Sequence, residues 1–253
     1  MTPLDLAHAE MDRSDAARLR FYERLADAEL FLLLESEAQG DQITPRVFPV
    51  EDAPLVLVFD REERLAEFAG AAPYLALSGR ALAQMLAGQG LGLGLNLEVA
   101  PSSIILPSEA IAWLNETLGT APADVEATPE EVLPPSDLPE AFIEALDTKL
   151  ALTAGLAKLA YLCAVRYKRG GSTHLLAFLD PIPGAENALA QAVNEALVFS
   201  GIEAGTLDVA FFGLRDPMAA TLAKVGLRFD LPQPEQPKDP PAPGMDPDKP
   251  PLL

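Results

Sequence analysis

The chain has 253 residues, 38 acidic against 18 basic side chains, and a formal net charge of −20. Such a surface suits neither polyanionic nucleic acid nor an anionic membrane, where binding rests on Lys and Arg; excess carboxylate keeps a protein dispersed. A single cysteine, Cys163, excludes an internal disulfide, and His8 and His174 lack ligand-spaced partners, so neither a metal site nor a cofactor is expected.

Residues 1–13 are mixed in character and are expected to be loosely held. The first domain is read from Ser14, a helix cap with Asp15 beside it, and Leu19, Phe21, Tyr22 and Leu25 give a helical apolar stripe. Glu29–Ser36 (ELFLLLES) suits a strand buried on both faces, and Val47-Phe48 a brief one before Pro49. Leu55–Phe59 (LVLVF) is the clearest strand; Asp60 then reads as the cap of a helix carrying Leu65 and Phe68. Tyr74–Leu77 is a further strand. Ser78 or Gly79 opens a helix with Leu82, Met85 and Leu86 on one face, ended by Gly88. Ile104–Leu106 reads as a strand, and Pro107-Ser108-Glu109 starts a helix with Ile111, Leu114 and Leu118 on one face and Trp113 beside it.

The composition then changes. Residues 119–139, GTAPADVEATPEEVLPPSDLP, hold five prolines and five acids with no base. Proline and self-repulsion extend such a stretch, so 119–137 is read as a linker. In the second domain, Phe142, Ile143, Leu146 and Leu150 give a helix. Lys158–Lys168 and Thr173–Leu179 read as strands joined by a hairpin turn at Arg169–Ser172. A helix over Ala185–Phe199, a strand at Leu207–Phe212, a helix over Pro217–Val225 and a short edge at Leu227–Phe229 follow. The proline-dense segment 231–253 cannot fill a core and is read as a disordered tail. The chain is therefore expected to be α/β (α+β), with two domains, 14–118 and 138–230, each a mixed β-sheet covered by helices. Its apolar runs are too short to span a bilayer and the first residues lack a signal-peptide core, so a cytoplasmic location is expected.

Chemistry-bearing candidates are few. In Gly90-Leu91-Gly92-Leu93-Gly94-Leu95-Asn96 the period of two puts glycines on one face, unlike a dinucleotide or Walker loop. Gly92 and Gly94 either let the chain's own groups approach or leave a face bare for a ligand. Asn96 either caps the turn that follows or is a recognition residue. Arg166, Lys168 and Arg169, with Lys158 nearby, form a positive group at the hairpin, suited to an acidic ligand, to the acidic linker of the same chain, or to a charged edge that resists pairing. No Gly-x-Ser-x-Gly elbow occurs, and Cys163 in mid-strand reads as an inert buried thiol.

The segments VFPVEDAPLVLVFDREERLAEFAG and YLALSGRALAQMLAGQGLGLGLNLE, followed by the helix with Trp113, resemble the SseB family, the enhanced-serine-sensitivity proteins. The resemblance covers roughly residues 20–118 and implies a separate C-terminal SseB-like half. Asn96 stands where the family has Asn, while Leu97-Glu98 replaces the Pro-Gly that follows it there. The resemblance implies a regulatory or protein-binding role touching serine or sulfur metabolism, without catalytic residues. The expected function is thus a non-enzymatic interaction protein whose partner is another protein. The alternative is a small-ligand binder or enzyme using Gly90–Asn96.

Overall fold

The computed structural model describes residues 1–38, 40, 43–50, 53–119, 129–167, 172–201 and 207–234. The chain opens with a helix, α1 (Pro3–Glu10), so residues 1–13 are not loosely held: Thr2 and Asp5 form a capping box, Pro3 stands at the first helical position, and Leu4 and Met11 are buried. Ser14 caps α2 (Asp15–Asp27) by accepting from the Ala17 amide at 3.1 Å. Strands β1 (Glu29–Leu33), β2 (Val47–Phe48) and β3 (Leu55–Phe59) follow, then α3 (Glu62–Ala69), β4 (Tyr74–Ser78), α4 (Gly79–Leu86), β5 (Gly92–Leu95), β6 (Ile104–Leu106) and α5 (Ser108–Gly119). Asp60 does not cap α3; Arg61 holds that position without a side-chain cap, because the Asp60 carboxylate is taken by other partners.

The second half begins earlier than its composition suggests. Pro129–Leu133, inside the stretch read as linker, is strand β7, paired antiparallel with β8 (Leu159–Tyr167). Its proline is tolerated at the first residue of an edge strand, and the ladder to β8 supplies what its own propensity lacks. Then come α6 (Glu140–Ala151), β8, β9 (Ser172–Leu179), α7 (Glu186–Ser200), β10 (Leu207–Phe212), α8 (Pro217–Val225) and β11 (Leu227–Asp230). β8 and β9 pair antiparallel from Leu159↔Leu179 to Arg166↔Ser172, as the hairpin reading requires; the turn itself lies outside the described residues, as do 235–253 of the expected tail.

Two mixed sheets result. One runs β4-β1-β3-β5-β6 with β2 also on β3; the other runs β10-β9-β8-β11 with β7 also on β8. Their layouts correspond. In each, a helix leads into a strand (α2–β1, α6–β8) that pairs antiparallel with the next long one (β3, β9). A parallel strand lies beyond that (β5, β10), and a further antiparallel strand flanks the first (β4, β11). Right-handed crossovers put α4 and α7, which enter the parallel strands, on the same face as α2 and α6, and put α3 and α8 on the other. The buried clusters agree: α2, α4 and α5 cover one face of the first sheet and α3 the other, while α6 and α7 cover one face of the second and α8 the other. The two α–β units occur in opposite chain order in the two halves, α3-β4 before α4-β5 but α7-β10 before α8-β11.

The two helical layers meet each other. Phe199 of α7 is buried among the side chains of α2, α4 and α5, and Trp113 of α5 stands edge-on to it at 6.4 Å. Close approach within the first layer depends on Gly79, where a Cβ would sit 1.8 Å from the Leu25 carbonyl oxygen at the end of α2. Gly79→Ala is expected to cost about 1–3 kcal/mol, because backbone must move. Gly94→Ala should cost less, since the atoms it would meet are the ends of Leu57 and Leu97 side chains. Thermal unfolding of the two variants checks the order.

Candidate functional site

In parallel sheets the carboxyl ends of strands are where groups converge outside the ladder. Asp60 directly follows β3 and Asn96 directly follows β5, which pair in parallel. Asn96 adopts the left-handed conformation (φ 48°), which asparagine tolerates, and is fully buried. Its amide N–H donates to the Val58 carbonyl at 2.9 Å, its side-chain oxygen accepts from the Asp60 amide at 3.0 Å, and its Nδ2 donates to Ser102 Oγ at 2.9 Å. Asn96 thus braces the two strand ends and orients a buried serine.

Ser102 Oγ in turn donates to Asp5 Oδ1 at 2.6 Å. Arg64, one turn into α3, grips the same carboxylate through Nη2 at 2.6 Å and Nη1 at 3.0 Å, and reaches Asp60 Oδ1 at 2.6 Å. Thr2 closes the set: its amide donates to Asp5 Oδ2 and its hydroxyl to Asp60 Oδ2 at 2.6 Å. Burial works against the Asp5 charge, but the bonds from Arg64, Ser102 and the Thr2 amide outweigh it and hold the carboxyl far below the usual carboxylate range. The Asp60 carboxylate accepts from Arg64 and Thr2. Of these residues only Asn96 was singled out as a site candidate from sequence. Thr2-Pro3-x-Asp5, a capping box with proline at the first helical position, was the signal available for α1.

The glycine face of β5 is filled by the chain itself. A Cβ at Gly94 would meet Leu57 Cδ2 at 2.6 Å and Leu97 Cδ1 at 2.8 Å, and one at Gly92 would meet the Leu106 carbonyl oxygen at 3.1 Å. Gly92 and Gly94 therefore serve close packing in a strand that is buried throughout.

Of the positive group at the hairpin, Arg166 and the more distant Lys158 lie among the described residues. Arg166 pairs with Glu131 of β7 at 2.7 Å, so its charge is met by the stretch that was read as linker. Lys158 pairs with Asp180 at the opposite end of β8, about 26 Å of strand away from Arg166. Lys168 and Arg169 lie outside the described residues. Near this end of the sheet, Tyr167 donates to Asp208 at 2.7 Å, and burial together with that bond raises the phenol well above its usual range. Cys163 is buried, and burial pushes its thiol up to about 11, as an inert cysteine requires.

A second charged cluster, not anticipated from sequence, joins the halves. Lys149 of α6 lies 2.6 Å from Asp27, 3.4 Å from Glu23 and 3.2 Å from Glu195 of α7. Arg80 of α4 binds both oxygens of Glu195, at 2.6 and 3.0 Å, and Asp27 at 2.9 Å. Among the described residues no group of three or more His, Cys, Asp and Glu side chains could hold a metal ion, and no described helix is long and apolar enough to cross a membrane.

Comparison with known proteins finds no curated protein and no solved structure that matches. Residues 5–113 match the SseB protein N-terminal domain. That span starts at Asp5, so it takes in most of α1 along with Asp60, Arg64, Asn96 and Ser102, further toward the amino end than the resemblance had reached. Residues 5–113 of the chain are thus an SseB N-terminal domain.

Proposed function

We propose that the protein acts through its contact surfaces, as a non-enzymatic interaction or regulatory protein of the cytoplasm linked to serine or sulfur metabolism. Its partner is another protein, rather than nucleic acid or a membrane. The observation that supports this reading is the outer edge of β10. This six-residue strand, LDVAFF, pairs with β9 on one side and has no strand on the other among the described residues, and each of its residues keeps part of its surface in solvent. An extended segment of a partner can add to such an edge, with main-chain bonds giving affinity and alternate side chains giving selectivity. In this reading the C-terminal half is the second SseB-like unit and carries the docking edge.

The test replaces Val209 by Pro, which removes a main-chain donor from the open edge: the Phe212 carbonyl accepts from the Asp180 amide on the β9 side, so alternation turns the Val209 N–H outward. Wild type and Val209→Pro, matched for thermal stability, are compared in capture experiments from cell extract. A partner held by wild type and lost by the variant is the expected result. Turnover of a metabolite by the purified protein, abolished by one change at a polar side chain, is the result that overturns the reading.

A further inference from the structure

We propose that the crevice at the carboxyl ends of β3 and β5 is a binding site for a small carboxylate, kept closed by α1, whose Asp5 carboxylate occupies it. This goes beyond the contact-surface reading and does not depend on the β10 edge. The receptor is assembled by residues 60–102 without help from α1. Arg64 is positioned by its bond to Asp60 one turn earlier in the chain, Ser102 by Asn96 Nδ2, and Asn96 by the Asp60 and Val58 main chain. These braced donors converge on one point: the Arg64 fork and the Ser102 hydroxyl, all within 3.0 Å of the two Asp5 oxygens. A planar guanidinium gripping both oxygens, with a hydroxyl added, is the donor set that recognises a carboxylate.

The occupant comes from elsewhere. Asp5 belongs to an eight-residue helix that lies outside the sheet and is anchored mainly by Leu4, Met11 and the polar contacts of Thr2 and Asp5. Taking Asp5 away would leave Arg64 Nη2 and the Ser102 hydroxyl without their acceptor, deep in the structure, where an unmet donor is costly. Arg64 keeps 13% of its side chain exposed, so solvent reaches the site along Arg64 and a small acid can enter beside it, whereas a chain terminus would need the whole of α1 to leave. An external carboxylate therefore competes with Asp5, and α1 is the contact that sets the site closed.

The test uses the full chain, with acetate as the probe and chloride at equal ionic strength as the reference. In Asp5→Ala, which also loses the capping box, acetate should raise the unfolding midpoint saturably and recover about half of the loss, chloride none. In the unmodified chain, which needs no variant to fold, acetate should speed hydrogen exchange at the amides of α1 while leaving those of α2 unchanged. Acetate no better than chloride on Asp5→Ala, or α1 exchange indifferent to acetate in the unmodified chain, overturns the proposal. So does triglycine stabilising Asp5→Ala as well as acetate, since that would make the ligand a peptide end.

Discussion

Arg64→Met is expected to destabilise the protein by about 3–5 kcal/mol, lowering the unfolding midpoint by roughly 10 °C. The size follows from what is left behind. Asp5 is wholly buried and Asp60 nearly so, and Arg64 is the cation that both carboxylates share. Removing one partner of a buried pair leaves a charge with neither water nor counter-ion, which is far more costly than losing a surface bridge. The pH dependence gives an independent check. Asp5 is held below the ordinary carboxylate range, so its contribution is present above about pH 4 and is lost as pH falls through its lower folded value. The gap between wild type and Arg64→Met should therefore narrow on acidification. A gap unchanged between neutral and strongly acid solution would show that Arg64 matters for packing and not for charge.

The cluster between the halves yields two substitutions of opposite sign. Lys149→Met should destabilise by about 3–5 kcal/mol, because Glu23 would lose its ion-pair partner and Asp27 and Glu195 would keep only Arg80. Burial opposes the Lys149 charge, but Asp27, Glu23 and Glu195 more than compensate and raise its pKa, so it remains a cation. Glu23→Gln should do the reverse and stabilise by about 1–2 kcal/mol at pH 8. Three carboxylates stand against two cations, and Glu23 Oε1, 3.4 Å from Lys149, accepts no hydrogen bond. Burial raises the Glu23 pKa, with Asp27 adding to it against the pull of Lys149 and Arg24. A raised carboxyl contributes its stability fully below the unfolded value of about 4.3 and loses it as pH climbs through the folded value. Glutamine cannot take on the charge, so its advantage should appear above that range and vanish near pH 4. Thermal unfolding of both variants from pH 4 to 8 measures this; destabilisation by Glu23→Gln at pH 8 would mean that Glu23 is a needed ion-pair partner.

By itself the sequence determined the local elements. Leu55–Phe59, the β8–β9 hairpin strands and the helices capped by Ser14 and Ser78 were legible because apolar period and capping act within a few residues. Asn96 was legible as a special position, since asparagine after a run of strand residues signals a left-handed turn. It also determined that Cys163 would be a quiet thiol, placed between apolar neighbours in a strand.

Only the tertiary structure decided which charges meet. Asp5, Arg64 and Ser102 span 97 residues, and in a chain so rich in carboxylates each resembles an ordinary surface residue until sheet order brings them together. Glu23, Lys149 and Glu195 were hidden for the same reason: their pairing depends on how two helical layers dock, and no local pattern encodes it. β7 was hidden because its ladder comes from β8 and not from its own proline-rich composition. The correspondence of the two sheets is likewise a matter of strand pairing and not of local pattern, because the matching α–β units follow each other in opposite order along the chain. Local preference acts over one or two turns, whereas burial of a charge is settled by neighbours that the chain supplies from far away.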